Sequence, residues 1–148
     1  MYTHILIATD GSDLAKKGVD HGISLAKETN AKVTLVAVTE PFPIHAVPSE
    51  GSFAARNAIE VYNERCEKSA GAILDAAHNQ AAQWGVACEK VHVPDSRAAD
   101  GILATAREKG CNLIVMTSHG RRGLGRLLLG SQTVEVLTHS PVPVLVVK

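Results

Sequence analysis

Aromatic residues are scarce in this chain, at 3% of its 148 residues. Proteins that bind single-stranded nucleic acid stack bases on aromatic side chains, so such a binding platform is missing here. An excess of one charge is missing as well, because fifteen Lys and Arg residues balance fifteen Asp and Glu residues. A formal net charge of zero creates no overall field that attracts nucleic acid or an anionic membrane. We therefore expect neither nucleic acid nor a membrane as a partner.

Long hydrophobic runs and paired cysteines are also absent from the sequence. No stretch of about eighteen apolar residues occurs, and the segment Met1–His4 lacks the charged and apolar regions of a signal peptide. We therefore expect a cytoplasmic protein. Cys66, Cys88 and Cys111 are odd in number, widely spaced and without a CxxC pair, which argues against disulfides and a zinc site. They are predicted to be reduced thiols that are mostly buried.

Apolar segments typical of strands alternate with segments of helical spacing along the whole chain. A composition of 45% hydrophobic residues is ordinary for a globular protein, and the length suits a single domain over residues 1–148. This alternation predicts a doubly wound parallel α/β sheet with five strands and four helices. Strands are expected at 4–9, 32–38, 86–93, 112–116 and 144–147, and helices at 12–29, 56–84, about 99–109 and 130–139.

Two segments within this pattern have a distinct character. Residues 39–55 carry three prolines and a glycine, which predicts a long surface loop beside the ligand crevice of the sheet. Residues 56–84 place apolar side chains three and four positions apart, which predicts one long amphipathic helix packed on the core. The polar residues of the strand that follows predict an edge position for it.

The stretch Leu113–Thr133 combines a strand, a loop with three glycines and the start of a helix. Glycines let backbone N–H groups approach an anion, and the first turn of a helix leaves N–H groups unpaired, so this order favours a phosphate cradle. Arg121, Arg122 and Arg126 add positive charge, although a flexible loop with solvated arginines is the plain alternative. No GxxxxGK[ST] or GxGxxG string is present, which excludes both common nucleotide-binding motifs.

The glycine stretch resembles the universal stress protein family, in particular its ATP-binding subgroup. That subgroup carries a glycine, two residues, a glycine, nine residues, then glycine and serine or threonine, and here Gly120, nine residues and Gly130-Ser131 match. ILIATDGS at the start, LIVMTSHGRRGL, RLLLGS and the closing PVPVLVV extend the resemblance over nearly the whole chain. Two positions depart from the family pattern: Thr117 replaces the first glycine of the motif, and Ser96 stands in a turn that often has glycine.

The resemblance implies a strand order of 3-2-1-4-5, as in adenine-nucleotide hydrolases, and a set of nucleotide contacts. Asp10 would approach the ribose or the metal and phosphates, Ala8, Val38 and Met116 would surround the adenine, and the two matched glycines would hold the phosphates together with Ser131. The complete implied set is Ala8, Thr9, Asp10, Val38, Met116, Thr117, His119, Gly120, Arg121, Gly130, Ser131, Gln132 and Thr133.

Several of these residues have simpler interpretations. Asp10 could cap the helix that begins near Ser12, and Ser131 could be only an N-cap of the last helix. Val38 and Met116 would be core residues with or without a ligand. His119 is a candidate general base, but no second titratable residue is placed by sequence to orient it, which favours a structural or phosphate-binding role.

The function implied by the resemblance is a small ATP-binding stress protein, with Mg²⁺ or Mn²⁺ beside the phosphates, that acts as a nucleotide-responsive regulator. No carboxylate occurs between residues 117 and 133, so it is expected to be no enzyme, with at most slow ATP hydrolysis and no catalytic or metal residue to assign. The alternative is a homodimeric interaction module that does not bind nucleotide, and a hydrolase ranks third. We expect a homodimer through strand 144–147 and a regulatory protein partner of unknown identity.

Overall fold

A computed structural model describes residues 1–46, 49, 51–121 and 128–148. The chain forms a five-stranded sheet in which every neighbouring pair of strands is parallel. The order β3-β2-β1-β4-β5 confirms the expected doubly wound topology, in which helices cover both faces. The elements are β1 (His4–Ala8), α1 (Asp13–Thr29), β2 (Lys32–Val38), a 3₁₀ turn (Ile44–Ala46), α2 (Phe53–Gln83), β3 (Cys88–Val93), α3 (Ala98–Lys109), β4 (Leu113–Thr117), α4 (Ser131–His139) and β5 (Val144–Val147).

The central strands explain why the sheet is buried on both faces. Ile5, Leu6 and Ile7 of β1 are each fully buried. Successive side chains of a strand point to opposite faces, so Ile5 and Ile7 join the apolar cluster under α1 and α2, while Leu6 joins the cluster under α3. A continuous apolar run is therefore what this position in the sheet requires. No helix in the described ranges is both long and apolar enough to cross a membrane.

Helix α2 begins earlier than the sequence pattern predicts, and the expected long loop is correspondingly shorter. The Ser52 hydroxyl caps the helix by accepting a hydrogen bond of 3.1 Å from the Ala55 amide, so the first turn starts at Phe53 rather than at Arg56. A 3₁₀ turn at Ile44–Ala46 further interrupts the segment that was expected to be irregular. The serine cap signal was present in the sequence, but the preceding prolines concealed it.

The length of α2 carries its amino-terminal half past the sheet. Its 31 residues span about 46 Å, whereas a strand of five to seven residues spans roughly 17 to 23 Å. The carboxyl-terminal half packs on the sheet through Ala70, Leu74, Ala77 and Ala81. In the amino-terminal half, by contrast, only Ala55 of the described residues is buried. The prediction that the whole apolar stripe packs on the core was therefore wrong for the first half.

The cysteines are all free thiols, in line with the expected reduced state. Only Cys111 is buried, whereas Cys66 and Cys88 are half-buried, so the prediction of mostly buried thiols was wrong for two of the three. Desolvation nevertheless raises the pKa of Cys88 to about 11. At neutral pH this thiol is therefore protonated and a weak nucleophile.

A series of hydrogen-bonded polar side chains connects β1, β2 and β3 near their amino ends. The hydroxyl of the fully buried Thr34 donates to Glu89 Oε1 over 2.8 Å, and Lys109 Nζ donates to the other carboxylate oxygen over 3.0 Å. Because the Thr34 proton goes to the carboxylate, its oxygen accepts from His4 Nε2–H, 2.8 Å away. Thr34 therefore fixes the tautomer of His4 and joins three elements through one oxygen.

Replacing Thr34 with the isosteric valine is expected to lower the free energy of unfolding by about 1 kcal/mol, because two hydrogen bonds disappear without leaving a void. Burial and the Lys32 charge lower the pKa of His4, and the hydrogen bonds from Lys109 and Thr34 lower that of Glu89. In the wild type, stability should therefore fall as the pH drops below 6.5, where the unfolded histidine takes up a proton first, and fall again below 4.5.

Urea unfolding of both proteins at pH 7, 5.5 and 4 measures this expectation. The valine variant should show a shallower loss between pH 5.5 and 4, because Glu89 loses one of the two hydrogen bonds that lower its pKa. Equal stability and equal acid dependence of the two proteins would show that the hydrogen bonds of Thr34 contribute nothing measurable.

Candidate functional site

One cavity of about 610 Å³ opens at the carboxyl ends of the strands. It lies around β1 and β4, where the strand order reverses and where parallel α/β sheets bind their ligands. Every residue implied by the family resemblance lines it: Ala8, Thr9, Asp10, Val38, Met116, Thr117, His119, Gly120, Arg121, Gly130, Ser131, Gln132 and Thr133. Arg122 and Arg126, which were expected to add charge to the loop, lie outside the described residues.

The two ends of the glycine loop are held together directly below the cavity. The Gly130 amide donates to the Ser118 carbonyl over 2.8 Å. The buried Thr133 hydroxyl bridges the carbonyls of Thr117 and Ser118, with 3.1 Å to each. These contacts connect the end of β4 with the first turn of α4. Both ends of the loop are therefore fixed to each other by hydrogen bonds.

Helix α4 begins beside these hydrogen bonds, with its first turn at the cavity. Gly130 is the N-cap, with φ −60° and ψ 149°, and no side chain in the described part of the chain caps the helix. The alternative of Ser131 as the N-cap was therefore wrong, since it is the first helical residue. Uncapped N–H groups and the positive end of the helix dipole are suited to bind an anion.

Asp10 connects the end of β1 with the glycine loop. Its Oδ1 accepts from the Ser12 amide over 2.9 Å, and its Oδ2 accepts from the Arg121 amide over 2.7 Å. The simpler role as a helix cap was wrong, because the Ser12 hydroxyl caps α1 by accepting from Ala15. A Cβ atom on Gly120 would lie 3.2 Å from Asp10 Oδ2, so this glycine allows the carboxylate to approach the loop.

Thr117 lines the cavity, yet both branches of its side chain have neighbours inside the protein. Its hydroxyl donates to the His119 carbonyl over 2.8 Å. Its methyl group lies against Gly18 of α1, where an added Cβ would be 2.9 Å away. The residue as a whole is only 8% exposed. Threonine at the first position of the motif is therefore packed rather than projecting freely into the cavity.

His119 is oriented by a neighbour that sequence reasoning did not identify. Its Nδ1 lies 3.0 Å from the Ser118 hydroxyl, and its Nε2 is buried without a hydrogen-bond partner in the described part of the protein. Catalytic histidines are usually oriented by a carboxylate, whereas this one is paired with a hydroxyl. A positioning role in the loop therefore fits His119 better than proton transfer.

The opposite end of the cavity is apolar. Val36 and Val38 of β2, Met116 of β4 and Ile102 of α3 form its wall together with Ala8. Helix α3 comes close because Gly101 has no side chain, since a Cβ there would lie 2.8 Å from Val38 Cγ2. The simpler interpretation of Val38 and Met116 as core residues is correct, because both pack on the cluster beneath α3.

Gln132 joins the two helices that border the cavity. Its side-chain oxygen accepts a hydrogen bond of 2.9 Å from the Ala99 amide in the first turn of α3. The N-cap position of that helix, Arg97, provides no side-chain hydrogen bond. Gln132 therefore caps α3 from α4, and the sequence contains no local signal for a contact between residues 33 positions apart.

The overhanging half of α2 forms one wall of the cavity, and this wall includes two residues of the apolar stripe that was expected in the core, Tyr62 and Cys66. Tyr62, Arg65, Cys66 and Ser69 line the cavity, at the spacing of one helix face. The Tyr62 hydroxyl donates to the Glu40 carbonyl over 2.8 Å, which attaches α2 to the segment after β2. The i, i+3, i+4, i+7 spacing was visible in the sequence, but it does not show where the sheet ends.

Two acidic residues at the cavity are relevant to the binding of a metal ion. Asp10 and Glu40 both line it. Each oxygen of Asp10 accepts one backbone hydrogen bond, and a carboxylate oxygen has a further lone pair for a cation. Mg²⁺ is commonly bound by one or two carboxylates together with substrate phosphates, so Asp10 suits a metal carried by a nucleotide. Among the described residues no group of three His, Cys, Asp or Glu side chains could hold a metal alone.

Comparison with known proteins places this arrangement in a family. The model of the universal stress protein family matches residues 1–148. The chain belongs to the universal stress protein family. Universal stress protein MJ0531 of Methanocaldococcus jannaschii is 35% identical over 150 residues, covering 100% of this chain and 83% of the relative.

Solved structures share the universal stress protein fold. The hypothetical protein MJ0577 superposes with a TM-score of 0.83 at 27% identity, over 100% of this chain and 96% of that one. A universal stress protein in complex with cAMP superposes with a TM-score of 0.68 at 26% identity, over 99% of this chain and 97% of that one. The sheet order and helices described above are therefore those of universal stress proteins.

Proposed function

We propose that this universal stress protein binds ATP, with Mg²⁺ or Mn²⁺ beside the phosphates, and acts in the cytoplasm as a nucleotide-responsive regulator. The observation that carries the proposal is the meeting of an apolar pocket and a phosphate cradle in one cavity. The cradle consists of the uncapped first turn of α4 and the loop at Gly120, while Arg121 adds a positive charge. The cAMP complex of a structural neighbour supports an adenine nucleotide as the ligand class.

The register of β2 supports recognition of adenine. The β1–β2 ladder ends at the pair Ala8–Val36, whereas β2 continues to Val38. The Val36 carbonyl faces β1, because it accepts from the Thr9 amide, and alternate residues of a parallel strand face the same neighbour. The N–H and C=O of Val38 therefore face the cavity, beyond the end of β1.

This backbone pair should discriminate between purines. A neighbouring N–H and C=O match the N1 acceptor and the amino group of adenine, whereas guanine presents a donor and an acceptor in the reverse order. We expect Mg-ATP to bind at least about 100-fold more tightly than Mg-GTP, because guanine would leave buried polar groups unpaired. Replacing Val38 with alanine, which keeps the backbone, should weaken ATP binding yet preserve the preference.

Isothermal titration calorimetry with Mg-ATP and Mg-GTP tests the proposed function directly. Saturable binding of ATP, with clear preference over GTP, is the expected result. No saturable binding of Mg-ATP up to millimolar concentration would end the proposal and leave the interaction module as the function. Equal affinity for the two nucleotides would refute the recognition of the base by Val38.

Slow or absent hydrolysis is part of the proposal. Asp10 lies at the loop, and the lone pairs that its two backbone hydrogen bonds leave are assigned in this proposal to the metal beside the phosphates. His119 is paired with a serine hydroxyl. Activation of water requires a positioned base within hydrogen-bond reach of it, and neither group is arranged in that way. The cavity therefore fits a regulator, whose nucleotide-bound state is recognised by other molecules, better than it fits an enzyme.

We further propose that two copies pair through β5. This strand is the edge of the sheet, and the exposed side chains of Leu145, Val134 and Leu137 provide apolar surface on it and on the neighbouring α4. An open edge of this kind is suited to antiparallel pairing with a second copy about a two-fold axis. The same surface favours the alternative function as a homodimeric interaction module, which does not require nucleotide. We also propose a regulatory protein as a partner that responds to the bound nucleotide.

A further inference from the structure

Thr117 is the last residue of β4 and stands where the family motif has its first glycine. Its hydrogen bond to the His119 carbonyl, at 2.8 Å, spans the first turn of the glycine loop. Among the described non-glycine residues only Asn30 and Asp95 have positive φ. The backbone at residue 117 therefore does not require glycine, and threonine is accommodated without strain.

Gly18 provides the space that the threonine methyl group occupies. It lies in the buried face of α1, and a Cβ atom there would be 2.9 Å from Thr117 Cγ2, closer than carbon atoms approach. Any larger residue at position 18 would therefore push the methyl group away from α1. Glycine in the interior of a helix lowers stability. The space that it leaves for the Thr117 methyl group explains why glycine occurs at this position.

These two contacts together select one rotamer of Thr117. The methyl group occupies the space beside Gly18, and the hydroxyl then points to the His119 carbonyl. A rotation about χ1 that moved the methyl group from Gly18 would also remove the hydroxyl from its acceptor, because both atoms sit on the same Cβ. The geometry of the loop therefore depends on a residue of α1.

We propose that Thr117 is a positioning residue of the nucleotide site and that Gly18 sets its rotamer, so that the threonine replaces the motif glycine without obstructing the phosphates. The proposal rests on the proposed binding of ATP. The hydroxyl holds His119 and Gly120 in place, and with them the Arg121 amide that Asp10 binds.

Three substitutions at residue 117 separate positioning from obstruction in titrations with Mg-ATP. The valine variant keeps the shape and loses the hydroxyl, so its affinity should fall about tenfold, as expected when a buried carbonyl loses its donor. The serine variant keeps the hydroxyl and should lose no more than about threefold. The glycine variant should bind more weakly than the wild type. Tighter binding by Thr117→Gly would show that threonine obstructs the site and would overturn the proposal.

A double-mutant cycle tests the role of Gly18. Gly18→Ala should weaken Mg-ATP binding about tenfold, because the new methyl group displaces that of Thr117. Adding Thr117→Ser removes the displaced group, so the double variant should recover to within about threefold of Thr117→Ser alone. Gly71→Ala is the matched control, since it lies in a helix with no atom within 4 Å of the added Cβ. A double variant as weak as Gly18→Ala would refute the coupling.

Amide hydrogen exchange without nucleotide separates this proposal from the binding of ATP itself. The Arg121 amide, bonded to Asp10, should exchange about tenfold faster in Thr117→Val and in Gly18→Ala than in the wild type, but not in the double variant. Unchanged exchange in Thr117→Val would overturn the positioning role even if ATP binds. If the wild type does not bind ATP but the variants show the expected exchange pattern, the proposed function is refuted and the positioning role of Thr117 is not. If Gly18→Ala does not fold, the comparison of valine with serine at residue 117 decides.

Discussion

Replacing Gly130 with valine is expected to weaken Mg-ATP binding at least about 100-fold while the protein stays folded. A Cβ atom at this position would lie 3.2 Å from the Ser118 carbonyl oxygen and 3.6 Å from His119 Cα. The carbonyl oxygen cannot move away easily, because it accepts hydrogen bonds from both Gly130 N and the Thr133 hydroxyl. The methyl groups of valine would therefore separate the two ends of the loop.

Calorimetry with Mg-ATP measures this loss, and circular dichroism with thermal unfolding verifies the fold. Gly71→Val is the matched control, because it places the same side chain on a helical glycine with open space around it. Equal ATP affinity of Gly130→Val and the wild type would place the phosphates elsewhere in the cavity. A Gly130→Val protein that loses ATP binding but keeps its cellular stress phenotype would favour the interaction module over the nucleotide-responsive regulator.

Replacing Val146 with proline is expected to raise the dissociation constant of the homodimer about 100-fold. The carbonyls of Pro143 and Val147 face β4, where they accept from the amides of Ile114 and Ser118. Alternate residues of a strand face the same neighbour, so the N–H of Val146 faces outward at the free edge of the sheet. Proline removes that donor without removing a hydrogen bond to β4, and a two-fold interface loses it twice.

Light scattering and analytical ultracentrifugation over a range of protein concentrations measure this effect. Val146→Thr is the control, because it keeps the N–H and the branched shape, and it should dimerise like the wild type. A wild-type protein that is monomeric at micromolar concentration would refute the homodimer, and a proline variant that still dimerises would place the interface away from β5.

Local patterns predicted the strands and the helices well, because each depends on residues close together in the chain. The apolar run of β1 and the glycine stretch after β4 are examples. Burial on both faces of a sheet requires apolar residues, and close approach of the backbone favours glycine. The strand order came from the resemblance to a family. The start of α2 was misplaced because prolines upstream outweighed the cap signal of Ser52.

Contacts between distant parts of the chain could not be predicted from those patterns. Asp10 and the Arg121 amide are 111 residues apart, and nothing near either residue indicates that one binds the other. The same is true of Gly18, whose small size serves Thr117. The geometry of the sheet brings such pairs together, so a sequence identifies the candidate residues but not which of them are partners.

The overhang of α2 separates the residues that decide stability from those that shape the cavity. Its helix is anchored by alanines and a leucine in the carboxyl-terminal half, whereas Tyr62, Arg65, Cys66 and Ser69 face the cavity beyond the sheet. Substitutions away from the core usually change the free energy of unfolding by less than about 0.5 kcal/mol. Substitutions on this one helix face can therefore change the lining of the cavity while the fold is retained.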